Sequence, residues 1–427
     1  MNWRVTMKRL LKGCGTTLLV VLIGAGALTI WQWQSAVAWW NLLSSIAAAP
    51  QYLQGLDTRE EVLGYVQERR DDVALVSFSV GADGQPLNDG TAISHNADTP
   101  MPLASTMKIV LLAAYAQQVE AGGLNPDERV PVREWERYYL PGTDGGAHAR
   151  MLRELGLAAD AQGFATDPNA SVSLDQLVRA MIRYSDNAAT DYLLLRLGPQ
   201  AVQQAITAGG LQAHEPILPV LGTFLSWQNH QQPGQQLAHI DTLRALPPAE
   251  YAAEVERLTA AYQDEAWRTA ELRWRDHRAV TNIVFEEAAG RHLMPKGTAN
   301  DYARMMAGVV TGTFISPQVS ATMRRHLEWP LEQAVQREHF DSFGTKGGSV
   351  AGVLTTASFY IPKTRDFAGQ PRVVVLFMHE VPFTAWTRLQ QTNGILGFTN
   401  ALVGRREFVS QVQATLEAGE EVTHHGR

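Results

Sequence analysis

The chain has 427 residues, of which 45% are hydrophobic and 19% charged, and a formal net charge of −7. That length and balance allow a sizeable core and one large or two ordinary domains, and they exclude a disordered or collagen-like chain. The negative charge is spread out and no Lys/Arg stripe with interleaved aromatics occurs, which argues against a nucleic-acid partner.

The N-terminus differs from the rest. Arg4, Lys8, Arg9 and Lys12 precede the apolar run "GCGTTLLVVLIGAGALTIW" (Gly13 to Trp31), and the first acidic residue is Asp57. A basic flank followed by such a run fits a signal peptide or a single membrane span with its N-terminus in the cytoplasm. Trp31, Trp33, Trp39 and Trp40 suit a headgroup belt and favour a retained anchor. The small residues of "SSIAAAPQ" (Ser44 to Gln51) keep cleavage open. On either reading residues 1–56 form an anchor or leader with a linker, and the remainder is periplasmic or otherwise extracytoplasmic. Cys14 is the only cysteine, so no disulfide forms within the chain and the domain relies on its core. It precedes the apolar run, unlike a lipoprotein cysteine.

From Asp57 the elements can be taken in order. Thr58, with Glu61 three residues on, opens a helix by capping-box spacing. "VALVSFSV" (Val73 to Val80) and "GTAISHN" (Gly90 to Asn96) read as a hairpin around a Gly-rich turn. An amphipathic helix, "MPLASTMKIVLLAAYAQQ" (Met101 to Gln118), follows and ends at Gly122-Gly123. Ser173 with Gln176 opens another helix to about Tyr184, and "AATDYLLLRLG" closes a third at Gly198. "NHQQPGQQ" (Asn229 to Gln236) is linker-like, and Pro248 to Arg278 reads as one or two charged helices. Thr298 starts a further helix. After Phe343 the period changes to two: "GVLTTASFYI" and "RVVVLFMHEV" read as adjacent antiparallel strands, and a last amphipathic helix runs from about Phe398 to Leu416. The expected fold is α+β: an antiparallel sheet flanked by terminal helices, plus a mostly helical lobe over 57–420 with a helical insertion at about 229–292. A site belongs in the cleft between such lobes.

Three short words fall on the walls of that cleft. Ser105-x-x-Lys108 places a hydroxyl and an amine on one helix face, where burial would lower the lysine toward neutrality and let it take the serine proton. By itself the word is equally a core helix with a snorkelling lysine. Ser185-Asp186-Asn187 sits between two helices, where an N-cap accounts for it in part. Lys346-Gly347-Gly348-Ser349 lies just before or at the start of a strand, where glycine permits close approach of a substrate backbone.

In this order the three words resemble the serine β-lactamase and penicillin-binding protein superfamily, specifically class A β-lactamases, which carry Ser-x-x-Lys, Ser-Asp-Asn and Lys-Thr-Gly on a two-lobed fold. The resemblance implies that Ser105 is the acylated nucleophile and Lys108 its activating partner. Ser185 would relay a proton to the leaving nitrogen, Asn187 would hold the substrate's acylamide and the lysine, and Lys346 would bring positive charge to the cleft. Gly348 lies on the substrate-binding strand, and the backbone N–H groups of Ser105 and Ser349 would form the oxyanion hole.

The resemblance also implies a deacylation base. "HEPILPVLG" (His214 to Gly222) has the Glu-Pro and Leu of the class A loop at Glu215, Pro216 and Leu218, with Pro219 replacing its asparagine. Gly347 replaces a hydroxyl residue that helps to bind the substrate carboxylate. Clustered metal ligands are missing, and "GGSVA" (Gly347 to Ala351) is no nucleophile elbow because a strand follows it. The expectation is therefore a monomeric serine hydrolase without metal or organic cofactor. It would form an acyl-enzyme at Ser105 and hydrolyse a β-lactam or envelope-derived acyl substrate. A D,D-peptidase, an esterase and a non-hydrolytic envelope-binding module are the alternatives.

Overall fold

The computed structural model of the chain describes residues 36–277 and 281–424. The basic flank and the apolar run lie outside those residues; among the described ones no helix is long and apolar enough to cross a membrane.

Five strands form one antiparallel sheet: β1 (Val73–Ser79), β2 (Ile93–His95), β3 (Phe340–Val350), β4 (Val353–Pro362) and β5 (Arg372–Met378). Their order across the sheet is β2-β1-β5-β4-β3, so the first and last parts of the chain meet at β1 and β5. Every residue of β1 and of β5 is buried. Their side chains alternate between two cores, as a period of two requires. Ala74, Val76, Phe78, Val373, Val375 and Phe377 face one, while Val73, Leu75, Val374, Leu376 and Met378 face the other. Each such side chain taken from water stabilises the fold by about 1.5–3 kcal/mol.

The second core is closed by Arg59–Glu68, which starts on the expected Thr58/Glu61 capping box, and by terminal helices Gly394–Gly404 and Arg406–His424. The single closing helix expected from Phe398 to Leu416 is thus two. Arg405 is extended between them, and the N–H of Arg406 is held by the Asp366 carboxylate at 2.8 Å. Ala49 and Tyr52 are buried in this core too, so packing begins upstream of the expected boundary at Asp57.

The first core joins the sheet to the helical lobe. Helix Lys108–Glu120 runs through it with every side chain from Lys108 to Ala116 buried, against Asn187–Ala208 and Pro317–Leu327. Asn187–Ala208 continues past Gly198, whose non-helical backbone with Pro199 breaks the axis there. The insertion folds as helices Leu237–Ala245, Pro248–Ala261, Glu265–His277 and Ile283–Leu293. Two small apolar clusters, one around Trp227, Ile240 and Phe285 and one around Leu225, Leu258 and Tyr262, hold it to the body.

Candidate active site

A cleft of about 530 Å³ opens where the lobes meet, lined by Ser105, Ser185, Asn187, Gly347, Gly348 and Ser349 among others. Lys108 and Lys346 lie buried beneath it. The three words therefore form three walls of one site.

Ser105 sits in a 3-10 turn, Ala104–Met107, that feeds helix Lys108–Glu120, so it lies ahead of the regular helix expected to carry it. Ala104 has a left-handed backbone (φ 45°), which for a residue with a Cβ costs on the order of 1–3 kcal/mol and persists only under constraint. Thr355 of β4 supplies that constraint. Its hydroxyl donates to the Leu103 carbonyl at 2.8 Å and lies 2.7 Å from the Thr106 hydroxyl. The Ser105 turn is thereby tied to the sheet from both sides.

Ser185 is left-handed as well (φ 67°) and follows an irregular π-type turn, Ala180–Tyr184. Its carbonyl accepts from Lys108 Nζ at 2.7 Å, and Lys108 also donates to Ser185 Oγ at 3.2 Å and Asn187 Oδ1 at 2.8 Å. An ammonium has three donors, and these contacts use all of them. Lys346 Nζ reaches the same Ser185 Oγ at 3.0 Å and the Gly347 carbonyl at 2.6 Å.

Burial lowers Lys108 to about 8, against the pull of the Asp186, Asp191 and Asp144 carboxylates. Burial, and then the neighbouring Lys108, push Lys346 well below an ordinary lysine. Burial and the neighbouring Lys108 thus act against the positive charge expected from Lys346.

Lys346-Gly347-Gly348 lies well inside β3, not at a strand start, since residues 346–350 pair with Val353–Ala357 of β4. A Cβ on Gly348 would come within 2.7 Å of the Ser105 nitrogen and 2.5 Å of Thr355 Oγ1. Glycine at 348 is what lets the strand edge approach the Ser105 turn. Gly347 is different: a Cβ there would meet only the Thr355 carbonyl, at 3.5 Å. Ser349 Oγ donates to Gln390 Oε1 at 2.9 Å, so its hydroxyl is engaged by helix Phe383–Gln391.

Glu215 is not brought to this cleft. It is exposed, its N–H donates to the Lys296 carbonyl at 2.9 Å, and its carboxylate accepts from the Lys296 N–H at 3.0 Å. It lines a separate groove with Leu218, Arg244 and Leu293. Helix Val220–Trp227, which follows its loop, presents Val220, Phe224 and Trp227 to the Ser105 cleft instead. The insertion adds Phe285 and Glu286 to the lining.

Two features escaped sequence reasoning. Asp191, fully buried, accepts from the N–H groups of Val220 and Leu221 at 2.7 Å each and so fixes the start of the helix that walls the cleft. Behind Asp186 lies buried His148, with Nδ1 2.8 Å from Asp186 Oδ2 and Nε2 3.1 Å from Glu136 Oε1. The glycines of "PGTDGGAH" mark the tight loop ahead of His148, but nothing local announces its partners.

A family model described as "Beta-lactamase enzyme family" matches residues 80–352, more than half of the chain. Among solved structures the chain is similar to a β-lactamase from Sphaerobacter thermophilus, at 18% identity and a TM-score of 0.48, over 79% of this chain and 95% of that one. It is also similar to PBP-A, at 16% identity and a TM-score of 0.44, over 80% and 94%. A β-lactamase from Chitinophaga pinensis matches at 13% identity and a TM-score of 0.46, over 83% and 99%. No curated protein matches. On the sequence match the chain belongs to the β-lactamase enzyme family.

Proposed function

We propose that this protein cleaves an amide of a cell-envelope substrate through an acyl-enzyme on Ser105, and that β-lactams acylate the same serine and leave it slowly. In the first step Ser105 Oγ bonds to the carbonyl carbon and its proton passes to the amine of Lys108. The C–N bond then breaks, and the proton reaches the leaving nitrogen through Ser185 Oγ, which contacts both lysines. The N–H groups of Ser105 and Ser349 receive the developing oxyanion; such donors are often worth about 2.7–4 kcal/mol. Water then displaces the acyl group.

The observation that carries the slow second step is the position of Glu215. Its carboxylate is engaged by Lys296 in another groove, and apolar Val220, Phe224 and Trp227 line the cleft there. The carboxylate expected to activate water is therefore away from that wall, and the carboxylates that do line the cleft are Asp144 and Glu286. Exposure of the full-length protein to benzylpenicillin, followed by intact mass, tests this. A stoichiometric adduct on Ser105 that outlasts many turnover times of a true β-lactamase is expected; rapid return to the unmodified mass would replace this reading with efficient β-lactam hydrolysis.

The same reading places the domain outside the cytoplasmic membrane and against it. Residues 36–48 are helical and apolar on two faces. One face packs on the domain, where Asn41 Nδ2 donates to Asn282 Oδ1 at 2.9 Å, and the other leaves Trp39, Trp40 and Leu43 53%, 71% and 59% exposed. Exposed tryptophans next to an apolar run of spanning length suit a headgroup layer. Replacing Trp39 and Trp40 by serine should weaken recovery of the protein with membranes after alkaline washing; unchanged recovery would leave the apolar run alone responsible.

A further inference from the structure

His148 is fully buried on helix Ala147–Glu154 and stacks on Tyr139 at 4.0 Å between ring centroids, with Trp135 at 4.9 Å. Both ring nitrogens are within hydrogen-bond distance of a carboxylate oxygen: Nδ1 with Asp186 and Nε2 with Glu136. A neutral imidazole has one N–H and could satisfy only one of them, whereas an imidazolium satisfies both. Each carboxylate also has a backbone donor. Asp186 Oδ1 accepts from the Ala189 N–H at 2.9 Å, and Glu136 Oε1 accepts from the Ala165 N–H at 2.6 Å. Asp144, at the start of the His148 helix, accepts from the His148 N–H at 2.7 Å.

Asp186 is the middle residue of the catalytic turn. Its backbone joins Ser185 to Asn187, the two residues that hold Lys108, and its charge is the strongest one raising Lys108. The other charged groups that act on Lys108 are Asp191, Asp144 and Lys346. Resting on the reading of Lys108 as the proton acceptor, we propose that His148 is a positioning residue for acylation. As a cation clamped between Glu136 and Asp186, it keeps Asp186 ionised, holds the Ser185–Asn187 turn on Lys108, and thereby sets the pH range in which Lys108 works.

The direction of the effect follows from the partners. Burial raises the Asp186 carboxyl, and His148, followed by the Ala189 N–H and Lys108, brings it below the ordinary range. Burial likewise opposes charge on His148, but the Asp186 and Glu136 carboxylates raise it to about 9. Without the cation the Asp186 carboxyl rises, the strongest negative charge acting on Lys108 is weakened, and the Lys108 proton leaves at lower pH.

His148→Gln keeps a hydrogen-bond donor and removes the charge. In the full-length protein, the acid limb of the rate of Ser105 acylation by a fluorescent penicillin should move down by about one pH unit. Asp186→Asn should shift it the same way, and the double variant should shift it no further. A purely structural role would lower the amount of folded protein and leave the limb where it is, and that result in folded variants would overturn the proposal. Should the variants not fold, nitrogen NMR of the wild-type imidazole decides: both ring nitrogens of His148 protonated at pH 7.5 supports it, and a neutral tautomer overturns it. Absence of any Ser105 adduct in the wild type would remove the underlying reading, and the NMR result on His148 would stand apart from that failure.

Discussion

Lys108 and Lys346 converge on one hydroxyl, Ser185 Oγ, at 3.2 and 3.0 Å. Burial lowers both amines, which favours the neutral amine that the proposed mechanism asks of Lys108. On the proposed mechanism acylation needs Lys108 deprotonated, and burial lowers that amine to about 8. The second-order acylation rate should therefore rise tenfold per pH unit below that value and level off above it. Stopped-flow measurement between pH 5.5 and 9.5 checks this; a rate independent of pH across the range would exclude Lys108 as the proton acceptor.

Removing the base should be costly. Lys108→Ala is expected to slow acylation by roughly 10²–10⁴-fold, the usual contribution of a general base. Because the ammonium also holds Ser185 and Asn187, the same variant should show lower thermal stability, whereas Lys108→Arg should restore stability more than rate.

The two glycines of β3 should respond in opposite ways. Gly348→Ala drives a methyl group to 2.7 Å from the Ser105 nitrogen and the Leu103 carbonyl and 2.5 Å from Thr355 Oγ1, so something must shift. A loss of about 1–3 kcal/mol of stability and of most acylation is expected. Gly347→Thr meets only ordinary contact at 3.5 Å and fills the place of the hydroxyl that the family's Lys-Thr-Gly provides. A hydrogen bond to a charged group contributes about 1.5–3 kcal/mol, so acylation by a carboxylate-bearing penicillin should improve by about 10- to 100-fold with stability unchanged.

Glu215→Gln separates two accounts of deacylation. The carboxylate is engaged by the Lys296 N–H outside the cleft. The lifetime of the Ser105 adduct should therefore be the same in the variant and the wild type, as read by the decay of a penicillin adduct. A markedly longer lifetime would return Glu215 to the reaction.

What could be read from the sequence was what local chemistry specifies. The capping boxes at Thr58/Glu61 and Ser173/Gln176 form as read, because each is complete within four residues. The alternation of β4 and β5 sorts their side chains to two cores. Ser105, Ser185 and the strand glycines come together because each is spelled within a short word. The glycines weakened the strand signal at 346–350, where pairing with β4 carries the backbone instead. Glu215 was read from a short word whose spelling matched, yet its carboxylate is caught by a residue 81 positions away. The His148 clamp joins residues 12 and 38 positions apart on different elements, and no local pattern reports such a pairing.

The central claim is that Ser105 is the nucleophile of a cleft that acylates readily and deacylates slowly. Intact-mass analysis of the full-length protein with benzylpenicillin, followed over hours and repeated on Ser105→Ala, tests it most directly. A single adduct that maps to Ser105, persists, and is lost in the alanine variant is the expected result. No adduct on the wild type, or an equal adduct on Ser105→Ala, would contradict it.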